Sequence, residues 1–98
     1  MDDDAQPLLI FFSSARSGPS RRMESLLAHI ARKERERLRV VQVDLEHRRE
    51  LARRLSVERA PTLVLVRERR QVARIEGRAS VPRIEAMLER HLVARPLA

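Results

Sequence analysis

The sequence predicts a single α/β domain built on a four-stranded mixed sheet, and three observations predict it. Two continuous apolar runs, Leu8-Leu9-Ile10-Phe11-Phe12 and Thr62-Leu63-Val64-Leu65-Val66, read as strands covered on both faces, because apolarity without alternation leaves no side for water. Elsewhere the apolar period is helical: Met23, Leu26, Leu27 and Ile30 share one face, as do Ile84, Met87, Leu88 and Leu92. Two further segments, 38–44 and 71–76, mix valine and isoleucine with charged residues, the pattern of strands at a sheet edge.

Taken in order, residues 1–7 are polar, carry Asp2-Asp3-Asp4 and end at Pro7, and are expected to form a flexible acidic leader. The domain is expected over 8–95. After the first strand, Ser13 to Pro19 reads as a loop punctuated by Gly18-Pro19. A helix is expected from about Ser20 to Arg37, its charged end from Lys33 onward solvated. The strand at 38–44 follows, then a short helix over 46–55 with Leu51 and Leu55 inward and Arg48, Arg49, Arg53 and Arg54 outward. Arg67 to Arg70 is a charged turn between 62–66 and 71–76. Gly77 ends that hairpin, and Ser80 caps a last helix with Pro82 in its first turn.

Few topologies fit this order. A strand–helix–strand crossover makes 8–12 and 38–44 parallel, and the hairpin makes 71–76 antiparallel to 62–66. Placing the two apolar strands inside gives the order 38–44, 8–12, 62–66, 71–76, with three helices on both faces.

Composition narrows the chemistry. The 98-residue chain has no cysteine, which removes disulfides, thiolate metal ligands and thiol nucleophiles together. Its net charge is +7, a field that favours acidic partners; a solvated arginine-rich surface accounts for the same charge. The aromatic residues are Phe11 and Phe12, both in an apolar run, so no ring is spare for base stacking and nucleic acid is a poor candidate partner. No apolar stretch is long enough to span a bilayer, and Met1 is followed by acids rather than by the basic start of a signal peptide. A cytoplasmic protein without membrane contact is the expectation.

The stretch from Ile10 through Phe12 and Arg16-Ser17-Gly18-Pro19-Ser20 to Met23 resembles the active-site segment of the thioredoxin family, where a strand leads into Trp-Cys-Gly-Pro-Cys at a helix N-terminus. Val43-Asp44 resembles the end of that family's next strand, Ala60-Pro61-Thr62 its cis-proline loop, and Gly77 the glycine after its last strand. The resemblance runs from about Leu8 to Leu92. It implies a minimal form of the thioredoxin fold, lacking the usual N-terminal strand and helix, with a cis Ala60–Pro61 bond packed against the Ser17–Ser20 loop.

The same resemblance shows what is missing. Both cysteine positions hold serine, at Ser17 and Ser20. The buried carboxylate that manages protons in the family falls at Phe11, its lysine partner at Gln42, and the tryptophan at Arg16. Disulfide exchange needs a thiolate and a resolving thiol, so redox catalysis is not expected and no cofactor is implied. No other catalytic set replaces it. A nucleophilic serine needs an adjacent base, and His29, His47 and His91 lie in unrelated places; Ser17 or Ser20 is expected to cap the helix instead. Glu46, His47 and Glu50 read as a solvated charged face rather than a metal site.

Three functions follow as expectations. The first is a redox-inactive protein-interaction module, using the Ser17–Ser20/Pro61 groove with Arg16, Arg21 and Ala60 toward an acidic partner, or the open 38–44 edge in a homodimer. The second is a Cys-to-Ser form of a disulfide oxidoreductase, although losses at Phe11, Gln42 and Arg16 favour a natural redox-inactive chain. The third is a basic domain for polyanions through Arg48, Arg49, Arg53 and Arg54, with steep salt dependence.

Overall fold

The computed structural model describes residues 6–92. The elements are β1 (Leu8–Ser13), α1 (Gly18–Lys33), β2 (Arg39–Asp44), α2 (Arg49–Arg54), β3 (Thr62–Arg67), β4 (Arg70–Glu76) and α3 (Val81–His91). They form one four-stranded sheet in the order β2-β1-β3-β4, with β1 parallel to β2 and antiparallel to β3, and β3 antiparallel to β4. This is the mixed sheet and strand order expected from the apolar runs.

The pleat divides the core in two. Leu9, Phe11, Leu63, Leu65 and Ile75 face Met23, Leu27 and Ile30 of α1 and Ile84, Met87 and Leu88 of α3. Ile10, Phe12, Val43 and Val64 face Ala52 of α2 and Val57. The central strands carry apolar side chains on both faces because both faces are covered. Leu51 and Leu55 pack on the second cluster only partly buried, and Ala52 is the α2 residue that faces inward.

The two longer departures from the sequence reading concern the ends of α1 and α2, and a third concerns the register of β4. Helix α1 begins at Gly18, with Ser17 as its N-cap and Pro19 in the first turn, where proline's missing N–H costs nothing. It ends at Lys33 rather than Arg37. Glu34 is 4% exposed and its carboxylate accepts from Arg37 Nε at 2.7 Å, so the stretch read as a solvated helix end is a turn in which Glu34 and Arg37 fold in while Lys33, Arg35 and Glu36 stay exposed. Helix α2 spans 49–54 rather than 46–55, because Asp44 Oδ1 accepts the amides of Glu46 at 2.8 Å and His47 at 3.2 Å. An aspartate that bonds the following amides offers the chain a turn in place of a helix; His47 therefore lies in that turn. In β4 the register jumps from Leu65↔Ala73 to Val66↔Gln71. Val72 is the extra residue of a bulge, which accommodates the three-residue spacing of Val72 and Ile75 in this edge strand.

The expected leader is shortened. Residues 1–5 lie outside the described part, but Gln6 Nε2 donates to the Arg35 carbonyl at 3.1 Å, and the Pro7 carbonyl accepts from Arg39 N at 2.9 Å. Gln6 and Pro7 thus belong to the folded sheet end. Residues 93–98 also lie outside the described part, so the end of the domain at 95 does too. No helix among the described residues is long and apolar enough to cross a membrane.

Candidate functional site

Strand register collects the candidate residues at one end of the sheet. Phe12 lies opposite both Thr62 and Val43, and Thr62 lies opposite Glu76. The segments that follow β1, β2 and β4 and the one that precedes β3 therefore emerge together. They bring Ser14–Ser20, Leu45–Arg48, Arg59–Pro61 and Gly77–Arg78 to the same end.

Serine hydroxyls order the loop after β1. The Ser14 Oγ donates to the Glu46 carboxylate at 3.0 Å and accepts the Arg16 amide at 3.1 Å. The Ser14 carbonyl accepts from Ser17 N at 3.0 Å. Ser17 Oγ then accepts the Ser20 amide at 3.1 Å, satisfying one of the free donors at the start of α1. Ser17, Gly18 and Pro19 are half-buried, and Ser20 is fully buried. Sequence reasoning passed over Ser14 and read Glu46 as part of a solvated charged face, whereas Glu46 is half-buried against Ser14. They are 32 residues apart, and no local pattern announces that contact.

The loop before β3 is fixed from both sides. The Ala60–Pro61 bond is cis. Thr62 Oγ1 donates to the Arg59 carbonyl at 2.7 Å, and Gly77 N donates to the Pro61 carbonyl at 2.8 Å, which places Arg78 beside this loop. Pro61 is buried and Ala60 half-buried. Among the described residues, the backbone of Ala60 makes no hydrogen bond.

The positions of the family's buried carboxylate and its lysine partner hold uncharged side chains. Phe11 is 1% exposed and pairs in register with Gln42. The Gln42 amide donates to Ser13 Oγ at 3.0 Å and to Glu24 Oε2 at 3.1 Å. No histidine completes a nucleophilic set: His47 Nδ1 stands 3.9 Å from Asp44 Oδ2 on the surface, and His29 and His91 sit on α1 and α3.

Charge at this end is unbalanced. Arg16, Arg21, Arg22, Arg59 and Arg78 are exposed, and none has an ion-pair partner among the described residues. Two neighbouring acids are engaged, Glu46 by Ser14 and Asp44 by the turn amides, while Glu58 is exposed. Partial burial works against the charge of Asp44, but the amides of Glu46 and His47 outweigh it and hold its carboxyl below the ordinary value. Beside the Ser14–Glu46 contact opens a cleft of about 320 Å³, lined by Leu45, Ala52 and Val57 together with Arg49, Arg53, Glu46 and Glu58. Arg48 and Arg54 of the basic set are exposed as well. No group of acids and histidines among the described residues could hold a metal ion.

The sequence matches the thioredoxin family model over residues 1–90. The chain belongs to the thioredoxin family. Thioredoxin-1 of Drosophila melanogaster is 31% identical over 74 residues, 76% of this chain and 69% of that one. A thioredoxin-like protein of Synechocystis is 29% identical over 72 residues, 74% of this chain and 69% of that one. Among solved structures, the germline-specific thioredoxin Deadhead of Drosophila superposes with a TM-score of 0.82 at 28% identity, covering 90% of this chain and 83% of that one. The thioredoxin of Fasciola hepatica has the same fold, with a TM-score of 0.81 at 23% identity over 89% and 82% of the two chains. The fold is thus a minimal thioredoxin fold, and this thioredoxin-family chain contains no cysteine. It therefore has no thiol with which to form or exchange a disulfide.

Proposed function

We propose that this chain is a redox-inactive thioredoxin-family domain that binds proteins rather than transforming them. The surface it uses is the end of the sheet between Ser17–Ser20 and Ala60–Pro61. The observation that carries the reading is the set of exposed, unpaired guanidinium groups of Arg16, Arg21, Arg22, Arg59 and Arg78 around that loop pair. Such a rim favours an acidic segment, steering its approach and selecting against basic ones. The half-buried backbone of Ala60, without a hydrogen bond of its own, suits an extended segment recognised through its main chain. Pro61 is buried, so it shapes the floor while Ala60 and the arginines make the contacts.

The test is a titration of fluorescent extended peptides, one rich in Asp and Glu and one of the same length rich in Lys. Binding of the acidic peptide, weakened by salt and lost in the Arg16→Glu/Arg21→Glu variant, is the expected result. Equal binding of both peptides, or binding untouched by the double reversal, would overturn the reading. Persistence of binding in that variant with loss on reversing Arg48, Arg49, Arg53 and Arg54 would move the interaction to the α2 surface.

A further inference from the structure

Strand β2 forms one outer edge of the described sheet. Arg39 N donates to the Pro7 carbonyl at 2.9 Å and Leu45 N to the Ser13 carbonyl at 2.8 Å. Because backbone direction alternates along a strand, the odd-numbered residues of β2 turn their polar groups toward β1 and the even-numbered ones turn them outward. Each end of this outward row is half closed: Leu38 N donates to the Glu34 carbonyl, and the Asp44 carbonyl accepts from His47 N and Arg48 N. Val40 and Gln42 keep both outward groups, N–H and C=O, unpaired among the described residues, and the Leu38 C=O and Asp44 N–H are unpaired as well.

A shallow groove of about 150 Å³ runs beside this edge on the α1 side, lined by Phe11, Leu27, Ala28, Ala31 and Val40. Its two ends carry opposite charge. Glu24 sits at the carboxyl end of the strand, bonded to Gln42 at 3.1 Å. At the amino end stand Arg32, one helical turn beyond Ala28, and Arg35 in the turn after α1; both are exposed and without an ion-pair partner among the described residues.

We infer that this edge pairs with the same edge of a second copy of the chain, antiparallel about Val41. Val40 then exchanges both backbone hydrogen bonds with Gln42 of the second copy, and Gln42 with its Val40. A register centred on Val41 pairs all four outward groups of Val40 and Gln42 and sets the free Asp44 N–H of each copy opposite the free Leu38 C=O of the other. Because Gln42 of the second copy lies opposite Val40, its Glu24 comes alongside Ala28 within reach of Arg32, and the reverse contact follows by symmetry. The small side chains of Ala28 and Ala31 leave room for the two α1 helices to approach and close both grooves. Charge selects the orientation, since antiparallel pairing sets acid against base and parallel pairing sets like against like. A surface that complements itself about a dyad is the surface of a two-fold dimer. This inference concerns β2 and does not rest on the peptide-groove reading.

Sedimentation equilibrium of the full chain from low to high micromolar concentration tests it. The expected result is a shift from the 11.4 kDa chain to twice that mass. Glu24→Arg and Arg32→Glu each weaken the dimer by about tenfold, since symmetry counts each contact twice, and the combined swap restores it. Gln42→Pro removes an outward donor that β1 does not use and abolishes association; circular dichroism reports whether that variant is folded, and the charge swap decides if it is not. A monomer at every concentration, as when the chain's own terminus covers the edge, would overturn the proposal. So would a dimer indifferent to these substitutions, or a double swap as weak as either single one.

Discussion

The Oγ of Ser17 accepts the amide N–H of Ser20 at 3.1 Å, while the Oγ of Ser20 itself is fully buried and meets no hydrogen-bond partner. The two serines, equivalent in the motif, are opposite in energetics. Ser17→Ala removes an N-cap and is expected to cost about 1 kcal/mol, a fall of roughly 4–8 °C in Tm for a domain of this size. Ser20→Ala removes a hydroxyl that was desolvated without compensation and is expected to leave Tm unchanged or raise it by a few degrees. Thermal denaturation of the two variants side by side checks this; equal losses would contradict it.

Gly77 is the second backbone-determined position. Its φ is +86°, a conformation that burdens any residue with a Cβ, and a Cβ built there meets nothing within 4 Å. The cost of Gly77→Ala is therefore backbone strain alone, about 1 kcal/mol. Urea denaturation is expected to show a lower midpoint with an unchanged slope, because no packing is lost.

Glu34 and Arg37 form the most enclosed ion pair of the fold's described residues, with side chains 5% and 13% exposed. Arg37 also reaches Glu89 at 3.1 Å, and the hydrogen bond it donates to Glu34 holds its pKa above the ordinary value despite burial. Arg37→Met strips the guanidinium from a buried carboxylate and is expected to destabilise by about 3 kcal/mol. Glu34→Gln/Arg37→Met, which removes both charges, is expected to recover more than half of that loss. Chemical denaturation of the single and double variants measures the difference.

Asp44 gives the pH dependence its sign. Its carboxyl is held below the ordinary value in the folded chain. Its contribution is therefore present above the unfolded value and lost as pH falls through the folded one. The turn it organises is expected to loosen only below about pH 4. Proton NMR of the Glu46 and His47 amides should show a shared titration below the usual carboxylate midpoint. Asp44→Asn should abolish it.

The sheet was legible in the sequence because burial on both faces writes itself as unbroken apolarity, as in Leu8–Phe12 and residues 62–66. The ends of helices were not. The run from Lys33 to Arg37 looks solvated because charges normally are, and only the fold reveals that Arg37 lies over Glu34. Likewise, Asp44 reads as a strand end until its carboxylate takes the amides that would have begun α2. The candidate site was legible as a motif, through Ser17–Ser20 and Ala60–Pro61. Its architecture was not, because Ser14 and Glu46 meet across 32 residues and Arg78 reaches the proline loop through the Gly77–Pro61 hydrogen bond. Long-range pairing is set by register, and register depends on the whole sheet.

A thioredoxin fold without cysteine carries no thiol chemistry. Reduction of a model disulfide protein by dithiothreitol, followed by turbidity with the unmodified chain and with a Ser17→Cys/Ser20→Cys variant, tests this most directly. The unmodified chain is expected to match the rate without protein, while the variant, whose first thiol would sit at the α1 N-terminus where thiolates are favoured, accelerates it. Acceleration by the unmodified chain would contradict the account.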